Sequence, residues 1–349
     1  MMVNVAMLGL GYWGPNLARN LASLEGVQIA ALCDLDIERA ETFRQRYCPN
    51  ARVINDYRDV ASDPLIDAVV IATPIRTHHE IGSFLLAAGK HVFIEKPMAR
   101  TTDQCRDLID LAERGKRVLM AGHVFEFNVA VQEIKQYIDR GELGKLFYVY
   151  SQRVNLGRIQ NDVNALWSFA PHDVSIMNYW FGQEPARVSA RGFSFLHNGI
   201  EDVVFVTLEY PNGVGAHLHL GWLDPRKIRL MTLVGSKKML VYDDVSLDAK
   251  IQVYDKGISD LHNFLEAPET FAEFQFKLRV GDLVIPTLQF GEPLHSECQH
   301  FIDCVRSGER PLTDGSSGLR VVKVLEAAEL SLKQQGRPID LSSEKKLSA

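Results

Sequence analysis

The chain has 349 residues, of which 46% are hydrophobic and 23% are charged, and its formal net charge is -6 at pH 7. This length predicts two domains, and the mildly acidic balance without a basic block argues against a nucleic-acid partner. No apolar run reaches membrane-spanning length, and the first residues lack a signal-peptide pattern, so we expect no membrane segment and no secretion. Five scattered cysteines without a Cys-x-x-Cys pair are typical of reduced thiols and predict a cytoplasmic protein.

The first predicted strand, residues 3–8, leads into a glycine-rich turn, and residues 15–24 follow as a predicted helix. The turn has the pattern Gly-x-Gly-x-x-Gly between strand and helix, which is where dinucleotide-binding folds place it. Gly9 permits the tight turn, Gly11 lets the backbone approach a pyrophosphate, and Gly14 allows the helix to pack closely on the strand. The helix N-terminus offers N–H groups to the phosphates. We therefore predict a dinucleotide site formed by Gly9, Gly11, Tyr12, Trp13 and Gly14.

The second predicted strand, residues 27–33, ends at Asp34, twenty residues after Gly14. An acid at this position accepts hydrogen bonds from the ribose hydroxyls of the adenosine and repels the 2′-phosphate of NADP. Leu35 follows instead of an arginine that would neutralise that phosphate. The alternative is that Asp34 caps the helix that begins near Asp36. Because the glycine turn and the acid occur together, we favour an NAD site.

Strands and helices continue to alternate along the next ninety residues. The predicted helices cover residues 76–88 and 105–114, and the predicted strands cover residues 52–54, 68–71, 91–94 and 118–121. Six short apolar strands alternating with helices predict a doubly wound parallel sheet. Glu95-Lys96-Pro97 follows the fifth strand, at the edge where such sheets bind ligands. An ordinary exposed lysine at a strand end is the alternative.

The pattern changes after Gly122, so we predict domains at residues 1–122 and 123–349. A helix is predicted over residues 127–140, and Pro211-Asn212-Gly213 is predicted to be a hairpin turn. Strands are predicted over residues 146–154, 187–195, 202–210, 215–222, 228–234 and 238–242. In the strand at residues 202–210 both alternate faces are apolar, so one face should cover helices and the other a second subunit. His217 and His219 share a strand face, but no acid or cysteine cluster completes a metal site, so we predict none.

The run Ala72-Thr73-Pro74, His78, Ala87-Ala88-Gly89-Lys90-His91-Val92 and Glu95-Lys96-Pro97 resembles the glucose–fructose oxidoreductase/inositol dehydrogenase/rhizopine catabolism (Gfo/Idh/MocA) family. These are NAD(P)-dependent sugar and cyclitol oxidoreductases, and the resemblance covers nearly the whole chain. It implies an α/β fold in which a Rossmann domain is followed by an α+β domain with a large, open, mostly antiparallel sheet. That sheet often forms dimers or tetramers in the family, which implies a homodimer or homotetramer.

The resemblance also implies roles for residues near the cofactor. Lys96 would lie beside the nicotinamide and the reacting carbon, and the Lys96–Pro97 peptide is often cis in the family. Solvation or capping explains His78 equally well. The implied cofactor contacts in this region are Thr73, Pro74, His78, Glu95, Lys96 and Pro97.

A polar loop at residues 155–164 precedes Trp167-Ser168-Phe169-Ala170-Pro171-His172-Asp173, and a helix is predicted from residue 171 to 180. The family pattern here is Asp-x-x-x-His, with the histidine as general acid/base. This chain keeps His172 but has Ser168 in place of the acid, which leaves the role of that acid open. The substrate contacts that the resemblance implies are Lys96, Arg158, Gln160, Asn164, Trp167 and His172. For Arg158, a solvated loop arginine is the alternative.

Within the family, residues 11–16, 171–173 and 297–330 are most similar to nucleotide-sugar 3-dehydrogenases, which oxidise the 3-hydroxyl of UDP-N-acetylglucosamine or its uronate ahead of a partner aminotransferase. The expected reaction is hydride transfer, in which His172 takes the hydroxyl proton and Lys96 stabilises the developing charge on oxygen. The alternatives are a ketosugar reductase, a cyclitol or inositol dehydrogenase, and a non-catalytic NAD-binding sensor. The sugar, the direction of reaction, the recycling of the cofactor and the choice of dimer or tetramer stay open.

Overall fold

A computed structural model describes residues 1–157, 163–258 and 278–341 of the chain. The chain divides into two compact units. The first unit contains Met1–Asn128 and Gly291–Lys323, and the second contains Val129–Phe290 and Val324–Ala349. The boundary between residues 122 and 123 that the sequence suggests stays a prediction.

The first unit is built on one six-stranded parallel sheet with the order β3-β2-β1-β4-β5-β6. Its strands are β1 (Val3–Leu8), β2 (Val27–Cys33), β3 (Arg52–Ile54), β4 (Ala68–Ile71), β5 (His91–Glu95) and β6 (Leu119–Gly122). Its connecting helices are α1 (Gly14–Ala22), α2 (Ile37–Tyr47), α3 (Tyr57–Ser62), α4 (Ile75–Ala87) and α5 (Thr102–Gly115). This confirms the predicted doubly wound sheet, and the strand order reverses between β1 and β4, where such sheets bind ligands.

The core of this unit lies on the sheet and includes a helix from far along the chain. All four residues of β4 are buried, as expected for a parallel strand that is covered on both faces. The distant helix α8 (Pro293–Ser307) contributes Phe301, whose ring meets Phe93 of β5 edge-on at 5.7 Å between centroids. The last helix, α9 (Gly315–Lys333), begins in this unit, where a Cβ on Gly318 would lie 2.7 Å from the sulfur of Met98.

The second unit contains a nine-stranded sheet with the order β14-β13-β12-β11-β7-β10-β9-β8-β15. Its strands are β7 (Leu146–Val154), β8 (Arg187–Phe193), β9 (Val203–Glu209), β10 (Gly215–Gly221), β11 (Ile228–Gly235), β12 (Met239–Asp243), β13 (Ile251–Ile258), β14 (Leu278–Val284) and β15 (Ile339–Asp340). Only β10 and β7 pair in parallel among these described neighbours, which confirms a mostly antiparallel sheet. The helices α6 (Val129–Asp139) and α7 (Ala165–Phe181) belong to the same unit.

Some elements differ from their prediction. The sequence did not indicate β13, β14 and β15. The helix predicted to begin at Pro171 begins at Ala165, because Asn164 caps it by accepting a hydrogen bond from the Trp167 N–H at 3.1 Å. Pro171 therefore lies inside α7 and not in its first turn, at the expense of one backbone hydrogen bond. The helix predicted over residues 127–140 is a short 3-10 turn followed by α6.

The hairpin predicted between β9 and β10 is confirmed. Tyr210 N–H donates to Val214 O at 2.9 Å and Gly213 N–H donates to Tyr210 O at 2.9 Å. Gly213 has φ +83°, in the left-handed region that glycine adopts without steric cost.

The two faces of strand β9 differ in exposure. Val204, Val206 and Leu208 are fully buried, whereas Phe205 on the other face is half-buried. The Phe205 ring stacks on His219 of β10, with 4.7 Å between ring centroids. Near it, Phe193 on β8 is 50% exposed, so this outer face carries uncovered aromatic surface. Within the described residues, no helix is both long and apolar enough to cross a membrane.

Candidate functional site

The glycine turn of the first unit has the packing that its pattern predicts. Gly9 has φ +87°, and a Cβ there would lie 2.7 Å from the carbonyl oxygen of Ala72. A Cβ on Gly14 would collide with the carbonyl oxygen of Gly9. In contrast, nothing lies within 4 Å of the Cβ position of Gly11, which is exposed. The turn therefore leaves bare, accessible backbone at Gly11, which fits the approach of a pyrophosphate.

The N-terminus of α1 completes this phosphate cradle. Trp13 is the N-cap residue, and its side chain does not cap the helix. Pro15 lies in the first turn, where its missing N–H costs nothing. The Asn16 N–H donates to Trp13 O at 2.9 Å, so the positive end of the helix dipole is what this turn chiefly offers an anion. Tyr12 is 81% exposed beside this turn.

Asp34 is held in place at the carboxyl end of β2. Its Oδ2 accepts a hydrogen bond from Leu10 N–H at 2.6 Å, and its Oδ1 accepts one from Asp36 N–H at 2.9 Å. Asp36 is the residue that caps α2, through the Arg39 N–H at 3.0 Å, so the capping alternative does not describe Asp34. The Arg39 guanidinium lies 3.7 Å from Asp34 Oδ1, a neighbour that the sequence did not indicate. A carboxylate fixed beside the glycine turn fits the ribose of a dinucleotide.

The Glu95-Lys96-Pro97 segment follows at the carboxyl end of β5. The Lys96–Pro97 peptide is cis, as the resemblance implied, and Lys96 is half-buried. Glu95 is buried and accepts a hydrogen bond from its neighbour's backbone, Lys96 N–H, at 3.1 Å, and another from the side chain of Trp13. Burial raises the pKa of Glu95 to about 7, while the charge of Lys96 and these hydrogen bonds act to lower it. Glu95 thus connects the glycine turn to the lysine.

His78 reaches from the first turn of α4 to this same segment. Its Nδ1 lies 2.9 Å from the carbonyl oxygen of Pro97, and its Nε2 lies 2.7 Å from the carbonyl oxygen of Thr73. The ring is 2% exposed, so it is neither solvated nor a helix cap. Pro74 is exposed beside it, and Thr73 is half-buried. The structure therefore brings Thr73, His78 and Pro97 together.

A group of buried ionisable side chains behind this segment was not predicted. Glu297 of α8 is fully buried, and neither of its carboxylate oxygens has a hydrogen-bond partner among the described residues. Burial raises its pKa, and the charges of Glu95 and Glu126 raise it further. His123 Nδ1 lies 3.6 Å from Glu126 Oε1. The available signal was that Glu297 shares the apolar face of its helix with Leu294, an unusual place for an acid.

In the second unit, His172 lies half-buried on α7, one turn after Ser168. Its neighbour Asp173 is fully buried and faces the sheet. The Asp173 carboxylate accepts hydrogen bonds from Arg153 Nε at 2.8 Å and from Ser151 Oγ at 3.1 Å. Arg153 is 4% exposed, so this is a buried ion pair within the unit. Asp173 therefore anchors the helix to β7 and is not the acid that the family pattern places before the histidine.

The remaining predicted substrate residues have structural partners or lie outside the description. Asn164 caps α7 and also donates a hydrogen bond from Nδ2 to Glu201 Oε2 at 2.7 Å. The indole N–H of Trp167 donates to Glu329 Oε2 at 2.9 Å. Arg158 and Gln160 lie outside the described residues. In the described part of the chain, no three histidine, cysteine or acidic side chains are arranged to hold a metal ion.

Comparison with known proteins agrees with this arrangement. Residues 3–123 match the family described as "Oxidoreductase family, NAD-binding Rossmann fold", and residues 131–241 match the "GFO/IDH/MocA C-terminal domain". The chain belongs to the Gfo/Idh/MocA oxidoreductase family. Residues 3–123 therefore form an NAD-binding Rossmann domain.

Several members of the Gfo/Idh/MocA family are similar to this chain. Inositol 2-dehydrogenase of Salmonella typhimurium is 26% identical over 220 residues, covering 61% of this chain and 66% of that protein. The 2,7-anhydro-N-acetylneuraminate hydratase of Escherichia coli is 27% identical over 235 residues, covering 63% of this chain and 62% of that protein. The alignments thus span less than two thirds of either relative. UDP-N-acetylglucosamine 3-dehydrogenase GnnA of Acidithiobacillus ferrooxidans shares the fold, with a TM-score of 0.79 and 21% identity over 96% of this chain and 99% of that one.

Proposed function

We propose that this protein is an NAD-dependent dehydrogenase that oxidises a secondary hydroxyl of a sugar, with the 3-hydroxyl of UDP-N-acetylglucosamine or a related UDP-sugar as the expected target. The observation that carries the proposal is that the glycine turn and the lysine segment of the first unit are connected to each other. The glycine turn, Trp13, Glu95 and Lys96 are linked by hydrogen bonds and adjacent backbone. A cofactor site and a cationic side chain are thereby built on one sheet edge.

The residues of the first unit bind and orient the cofactor. The bare backbone at Gly11 and the N-terminus of α1 would hold the phosphates, and Asp34 would accept hydrogen bonds from the ribose. Bound NAD supplies the hydride acceptor. Asp34 is already held by two backbone N–H groups, so little ordering of its carboxylate is needed when the ribose binds.

Two side chains carry the proton and charge chemistry. His172 accepts the hydroxyl proton and so acts as the general base. Lys96 donates a hydrogen bond to the same oxygen and stabilises its developing negative charge. Asp173 contributes indirectly, because its buried pair with Arg153 fixes the helical turn that carries His172.

The choice of substrate rests on the resemblances to known proteins. The sequence resemblance to nucleotide-sugar 3-dehydrogenases and the fold shared with GnnA favour a UDP-sugar. The similarity to inositol 2-dehydrogenase supports a cyclitol as the second candidate. The similarity to the anhydro-sugar hydratase supports a third reaction type, in which no reduced cofactor accumulates.

A substrate panel separates these candidates. The protein is incubated with NAD and, in turn, UDP-N-acetylglucosamine, its uronate, other UDP-sugars and myo-inositol, while the absorbance of reduced cofactor and the product mass are followed. Reduced cofactor formed with UDP-sugars alone supports the proposal, and its formation with myo-inositol alone overturns the substrate class. Product without reduced cofactor indicates the hydratase type, and consumption of added NADH by keto sugars indicates a reductase. Bound NAD without any turnover indicates a sensor.

We also infer that copies of the chain associate into a dimer or tetramer through the outer face of the nine-stranded sheet. The support is the exposed aromatic surface around Phe193 and Phe205 on that face. A 3-keto product is chemically suited to an aminotransferase acting next. The five cysteines are buried and form no disulfides, which supports a cytoplasmic location.

A further inference from the structure

The carboxyl group of Glu95 is the point where two segments of the first unit meet. Glu95 is the last residue of β5 and is 8% exposed. Its Oε2 accepts a hydrogen bond from Lys96 N–H at 3.1 Å, and its carboxyl group accepts another from the side chain of Trp13. The indole N–H is the only donor that a tryptophan side chain carries. One buried carboxyl group therefore holds both the indole of the glycine turn and the backbone of the lysine.

This link joins elements that are not neighbours in the sheet. The glycine turn follows β1, Glu95 ends β5, and β4 lies between these two strands. The hydrogen bond from Trp13 thus connects the two sides of the sheet edge where the strand order reverses and where such sheets bind ligands. A change in the position of the turn is therefore passed to the lysine segment through a single side chain.

Both ends of the link are held by their surroundings. Trp13 is the N-cap residue of α1, and its carbonyl oxygen accepts the Asn16 N–H at 2.9 Å. At the other end, the Glu95 side chain lies against Gly122, its partner in β6. A Cβ at Gly122 would lie 3.2 Å from Glu95 Oε1, so the glycine leaves the space that the carboxyl group occupies.

The charges around Glu95 set how the link depends on pH. Burial raises the pKa of Glu95 to about 7, whereas the charge of Lys96 and the hydrogen bonds from Lys96 N–H and Trp13 act to lower it. From α8, Glu297 and Cys298 also interact electrostatically with this carboxyl group. Hydrogen bonds to a carboxylate are stronger than those to a neutral acid. The link therefore strengthens as the pH rises through about 7 and Glu95 ionises.

We propose that Trp13 is a positioning residue whose indole N–H, acting through the carboxyl group of Glu95, fixes the Lys96 backbone relative to the glycine turn. This inference deepens the proposed function and rests on the role of Lys96 stated there. It connects the turn that fits the cofactor phosphates with the cation that stabilises the developing charge on oxygen, because one carboxyl group accepts hydrogen bonds from both segments.

The link is measured first in the protein without cofactor or substrate. The chain has four tryptophans, so labelling with nitrogen-15 tryptophan gives four indole N–H signals, and Trp13→Phe identifies that of Trp13. We expect this signal to shift with a midpoint of about pH 7, as Glu95 ionises, and to lose that shift in Glu95→Gln. Trp180, whose indole donates to Val131 O at 2.9 Å, is the internal control. A Trp13 signal that does not respond to Glu95→Gln would overturn the inference.

The effect on Lys96 is measured at its backbone amide, again without substrate. Labelling with nitrogen-15 lysine reports this amide, and Lys96→Met identifies its signal. Trp13→Phe keeps an aromatic ring in the turn but removes the indole donor, so we expect the Lys96 amide signal to shift. The matched control is Tyr57→Phe, which removes an aromatic donor to Glu80 Oε1 at 2.9 Å elsewhere in the same unit and should leave the signal in place. An unchanged Lys96 amide in Trp13→Phe would contradict the positioning role.

Turnover at saturating NAD gives the functional test. Trp13→Phe should lower kcat by about 10-fold to 100-fold, the size of losing a hydrogen bond to a charged group, and Tyr57→Phe should keep the wild-type value. When Glu95→Gln is already present, Trp13→Phe should cost much less, because the two residues act through one hydrogen bond. Equal losses with and without Glu95→Gln would show that Trp13 acts independently of Glu95 and would refute the proposal.

The signals of the indole and the amide also separate this inference from the proposed reaction. If no sugar is oxidised, the proposed function fails, while a Lys96 amide that shifts in Trp13→Phe still supports the positioning role. If Trp13→Phe does not fold, Glu95→Gln takes its place. It should then move both the Trp13 and the Lys96 signals, and a change in only one of them refutes the link.

Discussion

Replacement of Glu95 by glutamine should remove a pH dependence of folding stability. Burial raises the pKa of this carboxyl from 4.5 to about 7 in the folded protein. Between pH 4.5 and about pH 7, the folded state therefore holds a proton that the unfolded chain has already released. Stability is highest below about pH 4.5 and falls as the pH rises to about 7, because the unfolded state there binds fewer protons than the folded one.

The magnitude follows from the size of the shift. Each pKa unit corresponds to about 1.4 kcal/mol, so a shift from 4.5 to about 7 amounts to about 3 kcal/mol across the window. Glutamine has a similar shape and no charge to bury. The unfolding free energy of Glu95→Gln should therefore rise by about 3 kcal/mol relative to that of the wild type between those pH values. Nearby Glu297 strengthens the effect, since two buried carboxylates that ionise together repel each other.

The assay is urea-induced unfolding without cofactor, at pH values from about 5 to about 8. The matched control is Glu309→Gln, a change at an exposed position of the same unit, which should leave the pH dependence of the wild type unaltered. A difference in unfolding free energy between Glu95→Gln and the wild type that stays constant over this range would refute the reasoning.

Three further predictions concern cofactor, chemistry and association. Asp34→Ala should reduce the ratio of NAD affinity to NADP affinity by about 10-fold or more, since it removes a charged hydrogen-bond acceptor. Titration of both cofactors tests this, and equal affinities of the wild type for NAD and NADP would contradict it. Lys96→Met should lower turnover by about two to three orders of magnitude. His172→Asn should lower turnover by about 10²–10⁴-fold, and its pH–rate profile should lose the low-pH limb. Near-normal turnover of the His172 variant together with an inactive Lys96 variant would mean that lysine is the base. Phe205→Glu should give a smaller species by light scattering with NAD still bound, whereas a wild-type monomer at micromolar concentration would exclude the proposed interface.

The sequence determined those features that rest on local chemistry. Alternating apolar runs and helical patterns predicted the six strands of the first unit within about one residue. The glycine turn was predicted because Gly9 and Gly14 have steric requirements that no other residue meets. The hairpin at Gly213 followed from its turn residues in the same way.

The start of helix α7 shows that two local signals, a capping residue and a proline, can indicate different first residues for one helix. Proline is favoured in the first turn of a helix, so the sequence predicts that α7 begins at Pro171. Asn164 caps the helix earlier, and packing of α7 on the sheet outweighs the hydrogen bond that the proline removes. Short or irregular edge strands such as β15 were missed because two residues carry no periodic signal.

Only the tertiary structure decided how distant charged and polar groups meet. His78 contacts a carbonyl nineteen residues away, and Arg153 pairs with Asp173 across twenty residues, so neither partner was visible in a local pattern. Glu297 is separated from Glu95 by some two hundred residues, yet α8 packs into the same core and brings the two charges into electrostatic contact. Folding excludes water from these groups, and the exclusion of water is what shifts their pKa values and makes their partners matter. The sequence by itself determined which residues were available for the chemistry, and the burial and pairing that set their protonation states came from the packed structure.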